Sequence, residues 1–279
     1  IKECDWSSDV CSSDLGTGKS ALQGFGKRAI HSLRRRLPVS GPPTRRACAV
    51  SGTMEEHAPV WNHLRGLQRL SLCDWPGRSC CVVFLGGCNL RCPTCHNFEL
   101  AWNMDSQPRL SRSKFLLFLA ERRRWLDGVT VTGGEATCAQ GLGELLFEIK
   151  RLDLPVKLDS NGMRPEVLAE VLDAGLVDLC AVDVKGPFHK YPALTGGAIT
   201  AAEARTNLEA VFALAQARPQ AFTFRCTRVP GLDADDFETA RGYLPSGFSL
   251  TLQPYRPPRR SYAFADHEAR RPVGNVVNG

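Results

Sequence analysis

Three closely spaced cysteines carry the most distinctive chemistry of this sequence. Cys88, Cys92 and Cys95 are separated by three and then by two residues, and they follow directly on the apolar run 80–85. An apolar run of this length beside glycines is typical of a buried strand, so the cysteines are expected in the loop at its end. Three thiolates can ligate three irons of a [4Fe-4S] cluster, whereas an electron-transfer cluster needs a fourth. The spacing therefore predicts a cluster with one iron open to a substrate or cofactor.

A structural zinc site is the alternative for the same cysteines. Zinc takes four ligands in tetrahedral geometry, so a distant residue or His96 would complete the set. Cys95 and His96 are adjacent and cannot easily bind one ion together, and no second paired-cysteine motif follows. The local spacing thus favours the cluster over zinc.

Alternating strand and helix patterns surround the cysteines. Apolar runs predict six strands, near 80–86, 128–132, 155–158, 177–182, 221–227 and 248–253. Helical periodicity predicts five helices, over 112–124, 141–152, 165–174, 201–217 and 234–243. Such alternation implies parallel strands with right-handed crossovers. The predicted fold class is α/β, a partial (β/α)6 TIM-like barrel with a mostly parallel sheet.

Polar motifs follow three of the predicted strands. They are Gly133-Gly134-Glu135, Asp159-Ser160-Asn161-Gly162 and Asp183-Val184-Lys185. In α/β barrels the chemistry collects at the carboxyl ends of the strands, which is where these motifs are expected. The alternatives are an ordinary strand-to-helix turn for the first motif and a surface ion pair for Asp183 and Lys185. An apolar strand leads into Asp183, which favours a site over a surface pair.

The composition limits the classes of function. Of 279 residues, 43% are hydrophobic and 23% are charged, as in a globular protein. No run approaches about 18 uninterrupted apolar residues, so we expect no membrane partner. Twelve cysteines at irregular spacing, without a secretory apolar segment at the start, favour a reducing, cytoplasmic location.

Residues 1–53 differ from the rest of the chain. Residues 5–15 have no helical or strand period and resemble a translated sequencing adaptor. Residues 1–53 carry nine Lys and Arg against four Asp and Glu, which accounts for five of the six net positive charges and leaves +1 for 54–279. We expect residues 1–53 to be a non-native or disordered leader, Met54 to be the native start, and nucleic acid not to be a partner.

The cysteine spacing and its flanks resemble the radical S-adenosylmethionine (SAM) superfamily. In that superfamily the amino and carboxylate groups of SAM bind the open iron, and one electron cleaves SAM to a 5′-deoxyadenosyl radical. The resemblance implies that Gly133, Gly134 and Glu135, which match a G-G-E-P element, receive the ammonium group of SAM. Two positions depart from the pattern: Ala136 replaces the proline, and Thr94 replaces an aromatic residue that packs against adenine.

The two later motifs resemble those of glycyl-radical-enzyme activases. The segments 159–162 and 183–185 are similar to D-T-N-G and D-I-K elements. The resemblance implies that cofactor contacts come from Asp159, Ser160, Asn161, Asp183 and Lys185, near the carboxylate of SAM and in some members around a monovalent cation. It also implies Cys88, Cys92 and Cys95 as the metal ligands, with no catalytic residue beyond the cluster and SAM.

From about residue 66 to 257 the chain looks most like anaerobic ribonucleoside-triphosphate reductase activating proteins, a branch akin to pyruvate formate-lyase activases. This resemblance implies a radical SAM domain over 54–257, followed by an irregular tail over 258–279. It implies hydrogen-atom abstraction from a glycine of an anaerobic ribonucleotide reductase, with reduced flavodoxin or ferredoxin as electron donor. The alternatives are a radical SAM enzyme acting on another small molecule or peptide, and a non-catalytic metal-binding interaction module.

Overall fold

The computed structural model describes residues 59–258. The predicted leader 1–53, the predicted start at Met54 and the tail beyond residue 258 lie outside the described residues. The domain boundaries expected at these positions therefore stay predictions.

A seven-stranded sheet forms the centre of the described region. Its strands lie side by side in sequence order: β1 (Leu64–Ser71), β2 (Cys80–Leu85), β3 (Gly128–Gly133), β4 (Val156–Ser160), β5 (Leu179–Asp183), β6 (Phe222–Arg228) and β7 (Leu250–Pro254). β1 is antiparallel to β2, and every later pair is parallel. β1 and β7 are the two edges, so the sheet does not close. The predicted α/β class and partial (β/α)6 barrel of mostly parallel strands are confirmed.

The strand β1 was not among the six strands predicted from the sequence. It pairs with β2 through Leu67 and Val83, with irregular register on both sides of that pair. Its residues range from buried to exposed, because an edge strand has a neighbour on one side only. A strand that is partly exposed carries polar as well as apolar residues, so its sequence has a weaker apolar pattern than that of the fully buried β2.

Seven α-helices accompany the strands in residues 59–258: α1 (Phe98–Trp102), α2 (Arg112–Arg122), α3 (Leu142–Lys150), α4 (Pro165–Asp173), α5 (Tyr191–Leu194), α6 (Ala201–Ala217) and α7 (Ala234–Arg241). The five predicted helices correspond to α2, α3, α4, α6 and α7. The other two are five and four residues long, too short to show a helical period. None of the helices in the described region has the length and apolar composition to cross a bilayer.

The two faces of the sheet are packed differently. On the helical face, β2 contributes Cys81, Val83 and Leu85 to the main apolar core. On the inner face, Val82 and Phe84 join a second, smaller apolar cluster with Trp75. A side chain at Gly128 would lie 2.6 Å from the Trp75 ring, so this glycine lets the tryptophan pack against the start of β3. This smaller cluster extends along β2 from Cys80 to Phe84 and packs against Leu100 of α1.

Candidate metal and cofactor site

The three cysteines lie in the loop that leaves the carboxyl end of β2, as expected from the sequence. The backbone before them is held on both sides: Gly86 N–H donates to His63 O at 2.7 Å, and Gly87 N–H donates to Leu100 O at 3.0 Å. Leu100 belongs to α1, which follows the cysteines directly. The entrance of the cysteine loop is thus fixed between the residue that precedes β1 and a residue of α1.

Three separate elements hold the residues between the first two cysteines. The indole N–H of Trp102, in α1, donates to Leu90 O at 3.0 Å. Arg91 N–H donates to Thr195 O at 3.0 Å, just after α5. The side-chain amide of Asn161, after β4, donates to Asn89 Oδ1 at 2.8 Å. The loop is therefore shaped by contacts with distant parts of the chain.

Burial and a neighbouring cation have opposite effects on the thiols of the cysteine loop. Burial raises the pKa of Cys88 to about 12 and also raises the pKa of Cys95, whereas the nearby Lys185 ammonium lowers both. Cys92 interacts electrostatically with both other thiols. Metal ligation requires thiolates, so binding must displace protons, and a neighbouring cation assists this.

The donor set also bears on the zinc alternative. A structural zinc ion needs four ligands around one centre, and the cysteine loop supplies three thiols. A cluster has a less stringent requirement, because each thiolate binds a different iron. Three thiols on one loop, with Lys185 beside them, fit a cluster better than a single tetrahedral zinc ion.

The two glycines of the G-G-E motif allow β2 and β3 to approach each other closely. A side chain at Gly133 would lie 2.1 Å from Leu85 O, and one at Gly134 would lie 2.1 Å from Gly87 O. Gly134 N–H donates to Leu85 O at 2.9 Å, and Glu135 N–H donates to Gly87 O at 2.8 Å. The backbone that leads into the cysteine loop is therefore the close neighbour that requires glycine at these two positions, and their contact with SAM stays a prediction.

Glu135 is almost fully buried and is used within the chain. Its carboxylate accepts hydrogen bonds from Thr137 Oγ1 at 2.6 Å, Ser160 Oγ at 2.9 Å and Asn161 N–H at 2.6 Å, and from Thr137 N–H at 3.2 Å. Burial raises the pKa of Glu135, although these hydrogen bonds oppose the rise. The structure thus places Ser160 and Asn161 against Glu135, and the carboxylate joins the loops after β3 and β4.

Asp159 and Asp183 form a charged network with three cations. Arg225, on β6, lies between the two carboxylates, at 3.2 Å from Asp159 Oδ2 and 2.5 Å from Asp183 Oδ1. Lys157, which is 3% exposed, pairs with Asp159, and Lys185 Nζ lies 3.9 Å from Asp183 Oδ2. Three cations against two anions leave a net charge of +1 in this network.

The charges in this network act on one another. Burial raises the pKa of Asp183, but Arg225 and Lys185 lower it by more. Burial lowers the pKa of Lys185 and of Arg225, but neighbouring anionic groups raise both above their ordinary values. These three side chains are therefore charged at neutral pH.

Arg225 and Lys157 were missed by the sequence analysis. Both alternate with apolar residues in strands, at positions whose side chains face the barrel interior beside Asp159. The signal that could have found them is a charged residue at every second position of an otherwise apolar strand. Lys157 and Asp159 form one such pair in β4.

An apolar cleft of about 320 Å³ borders the cysteine loop. Its walls come from the cysteine loop and from the segments after β5 and β6: Pro93, Thr94, Lys190, Ala193, Leu194, Pro230 and Gly231. Thr94 is the residue that replaces the aromatic side chain of the resembled pattern. The cleft therefore provides apolar walls at the position where that ring is missing.

Comparison with known proteins assigns the family. Residues 82–244, more than half of the chain, match the Radical SAM superfamily. A putative glycyl-radical enzyme activating enzyme of Methanocaldococcus jannaschii is 34% identical over 131 residues, which are 45% of this chain and 51% of the relative. A pyruvate formate-lyase-activating enzyme of Clostridium pasteurianum is 31% identical over 145 residues, which are 49% of this chain and 58% of the relative. The chain thus spans about half the length of these curated relatives.

A solved structure of Streptococcus suis SuiB bound to S-adenosylmethionine is also similar, at 14% identity and a TM-score of 0.44. The similarity covers 66% of this chain and 43% of SuiB, and it is too distant to support a conclusion. The match over 82–244 includes the cysteine loop, the G-G-E motif and the charged network. The chain belongs to the radical SAM superfamily, whose enzymes use a [4Fe-4S] cluster and SAM.

Proposed function

We propose that this enzyme activates a glycyl radical enzyme, and that its target is an anaerobic ribonucleotide reductase. The observation that carries the proposal is the arrangement at the carboxyl ends of the strands. The cysteine loop, two carboxylates and three cations meet there, at the positions of the activase motifs. The names of the Methanocaldococcus and Clostridium relatives support the activase class.

In this proposal Cys88, Cys92 and Cys95 hold the cluster. A reduced cluster held there would supply one electron to the sulfonium of SAM, which would break its C–S bond and give methionine and a 5′-deoxyadenosyl radical. The ammonium of Lys185 lies near Cys88 and Cys92 and offsets part of the thiolate charge. The cleft beside Thr94 takes the adenine ring, because its apolar walls replace the missing aromatic side chain.

The charged network holds the amino-acid end of SAM. Its net charge of +1 suits a ligand carboxylate, with Lys185 and Arg225 as the attracting groups. Asp159 and Asp183 accept from the ammonium side, and the backbone at Gly133 and Gly134 borders it. Glu135, Ser160 and Asn161 contribute by holding these loops, because their own polar groups are already paired within the chain.

The protein contributes orientation and exclusion of water. A hydrogen atom moves from a glycine α-carbon to the deoxyadenosyl radical only when the two are held in contact. The partner's glycine loop must therefore reach the face of the barrel that carries the cysteine loop. Reduced flavodoxin or ferredoxin would deliver the electron to the same face.

The test uses anaerobically reconstituted enzyme, SAM, a reductant and an anaerobic ribonucleotide reductase. We expect 5′-deoxyadenosine release and a glycyl radical signal in electron paramagnetic resonance (EPR) spectra of the reductase. Cys88→Ala should abolish both, whereas the matched control Cys73→Ala, outside the motif, should retain both.

Each negative result has a separate meaning. SAM cleavage without a radical on ribonucleotide reductase, but with one on pyruvate formate-lyase, would overturn the proposed target. Cleavage without any glycyl radical would overturn the activase class and indicate a small-molecule or peptide substrate. Release of 5′-deoxyadenosine by Cys88→Ala would overturn the cluster ligands.

A further inference from the structure

One side chain connects the cysteine loop to the buried polar groups after β3 and β4. Asn161 Nδ2 donates to Asn89 Oδ1 at 2.8 Å. Asn89 is the residue that follows Cys88, the first cysteine of the motif. The bond therefore joins the loop after β4 to the first turn of the cysteine loop.

The orientation of the Asn161 amide is fixed by its surroundings. Its Oδ1 accepts from Met163 N–H at 2.9 Å, and its backbone N–H donates to Glu135 Oε2 at 2.6 Å. Because Oδ1 is occupied by a backbone donor, only Nδ2 is available to face Asn89. Asn161 is 6% exposed, so it has little room to choose another rotamer.

The position of Glu135 is fixed in turn. Its carboxylate accepts hydrogen bonds from Ser160 Oγ and Thr137 Oγ1, and its backbone N–H donates to Gly87 O at 2.8 Å. Gly87 immediately precedes Cys88. Cys88 is thus held from both sides, through Glu135 at Gly87 and through Asn161 at Asn89.

We propose that Asn161 is a positioning residue for the cluster: through Asn89 it sets the place of Cys88 relative to the loops after β3 and β4. The proposal depends on the superfamily's cluster and not on the identity of the partner. Asn161 is the buried and fixed partner of this bond, so it defines where the Asn89 side chain lies, and leaving its amide unpaired is costly. Loss of this bond should loosen cluster binding more than it loosens the fold, because Asn89 itself is exposed.

A double-mutant cycle of two Asn→Asp substitutions tests the hydrogen bond between Asn161 and Asn89. Asn89→Asp keeps the acceptor for Asn161 Nδ2. Asn161→Asp keeps the acceptor for Met163, and Asn89 can rotate its amide to donate to the new carboxylate. The double variant places two acceptors opposite each other, so no hydrogen bond can form at pH 8, where both carboxylates are ionised.

The measurement is the rate of cluster loss to an iron chelator, followed by visible absorbance of the reconstituted protein, together with SAM affinity from EPR titration. We expect the rate of cluster loss from each single variant to lie within about threefold of the wild-type rate. If the two substitutions acted independently, the rate increase of the double variant would be the product of the two single increases, and we expect it to exceed that product about tenfold. Asn89→Asp/Asn103→Asp is the matched control, because Asn103 is exposed and the added charge is the same. This control should show no coupling.

Thermal unfolding of the cluster-free proteins separates positioning from folding. The proposal is supported if the two substitutions are coupled in the rate of cluster loss but act additively on thermal unfolding. It is overturned if they are equally coupled in both measurements, or if they are not coupled in the rate of cluster loss. If the double variant does not fold, Asn89→Leu replaces it: cluster loss should accelerate about tenfold, and an unchanged rate would overturn the proposal.

Discussion

Glu135 and Asp183 are two carboxylates at the same end of the sheet, but their surroundings differ. Glu135 is 2% exposed and receives only neutral donors, from Thr137, Ser160 and Asn161. The Asp183 side chain is 34% exposed and is paired with Arg225 and Lys185. The first arrangement holds loops together, whereas the second keeps charge at a surface that a ligand can reach. Two carboxylates at strand ends are thus paired in different ways, one with neutral donors and one with cations.

The largest expected effect tests the structural side of this comparison. Glu135→Ala would leave Ser160 Oγ and Asn161 N–H without their acceptor in a buried region, so we expect a loss of about 3–5 kcal/mol in the free energy of unfolding. Asp183→Ala should cost only about 1 kcal/mol, because its partners are partly exposed and Arg225 keeps Asp159. Urea denaturation of the cluster-free proteins measures both, and equal losses would contradict the distinction.

The next effect tests the ligand side. Lys185→Met removes one of the two cations that we assign to the carboxylate of SAM. We therefore expect SAM affinity to fall about tenfold, the equivalent of one charged hydrogen bond. The free energy of unfolding should change by about 1 kcal/mol or less. EPR titration of the reconstituted protein with SAM measures the affinity. Lys150→Met, which removes a lysine paired with Asp178 in an exposed setting, is the control and should bind SAM normally.

The smallest effect is an opposite dependence of stability on pH. Asp183 has a lowered pKa, so its contribution to stability is present above pH about 4 and is lost as pH falls below that. Glu135 has a raised pKa, so its contribution is present below pH about 4 and is lost as pH rises through the folded value.

The variants Asp183→Asn and Glu135→Gln should each remove one of these dependences. Relative to wild type, Asp183→Asn should weaken the loss of stability in acid, and Glu135→Gln should weaken the loss as pH rises above about 4. Thermal unfolding midpoints of the cluster-free proteins between pH 3 and pH 7 give the comparison. Difference curves with the same sign would show that the two carboxylates are equivalent.

The sequence was sufficient for those parts of the fold that depend on periodicity. The six parallel strands and five longer helices have apolar positions at the spacing of buried elements, so they could be predicted. The antiparallel edge strand β1 and the short helices α1 and α5 could not. Their conformations depend on tertiary neighbours more than on a local pattern.

The candidate site also has parts that could be predicted from the sequence and parts that could not. The cysteines and the three polar motifs were predicted at strand ends, and the structure places them there. Glu135 and Asn161 form hydrogen bonds with partners from other loops, and spacing in the sequence does not reveal these partners. Arg225 is 42 residues beyond Asp183, and its position between two carboxylates follows only from the neighbouring strands β5 and β6.

The contacts of the cysteine loop also bear on the order of events during synthesis. Arg91 depends on Thr195 for its backbone partner, and a side chain at Gly196 would lie 2.2 Å from Arg91 O. The ribosome makes these residues long after the three cysteines, at about 5–20 residues per second. The emerging cysteines therefore spend several seconds without the neighbours that shape their loop. We expect iron to be inserted after translation has passed α5, which makes cluster loading a late step in the maturation of the protein.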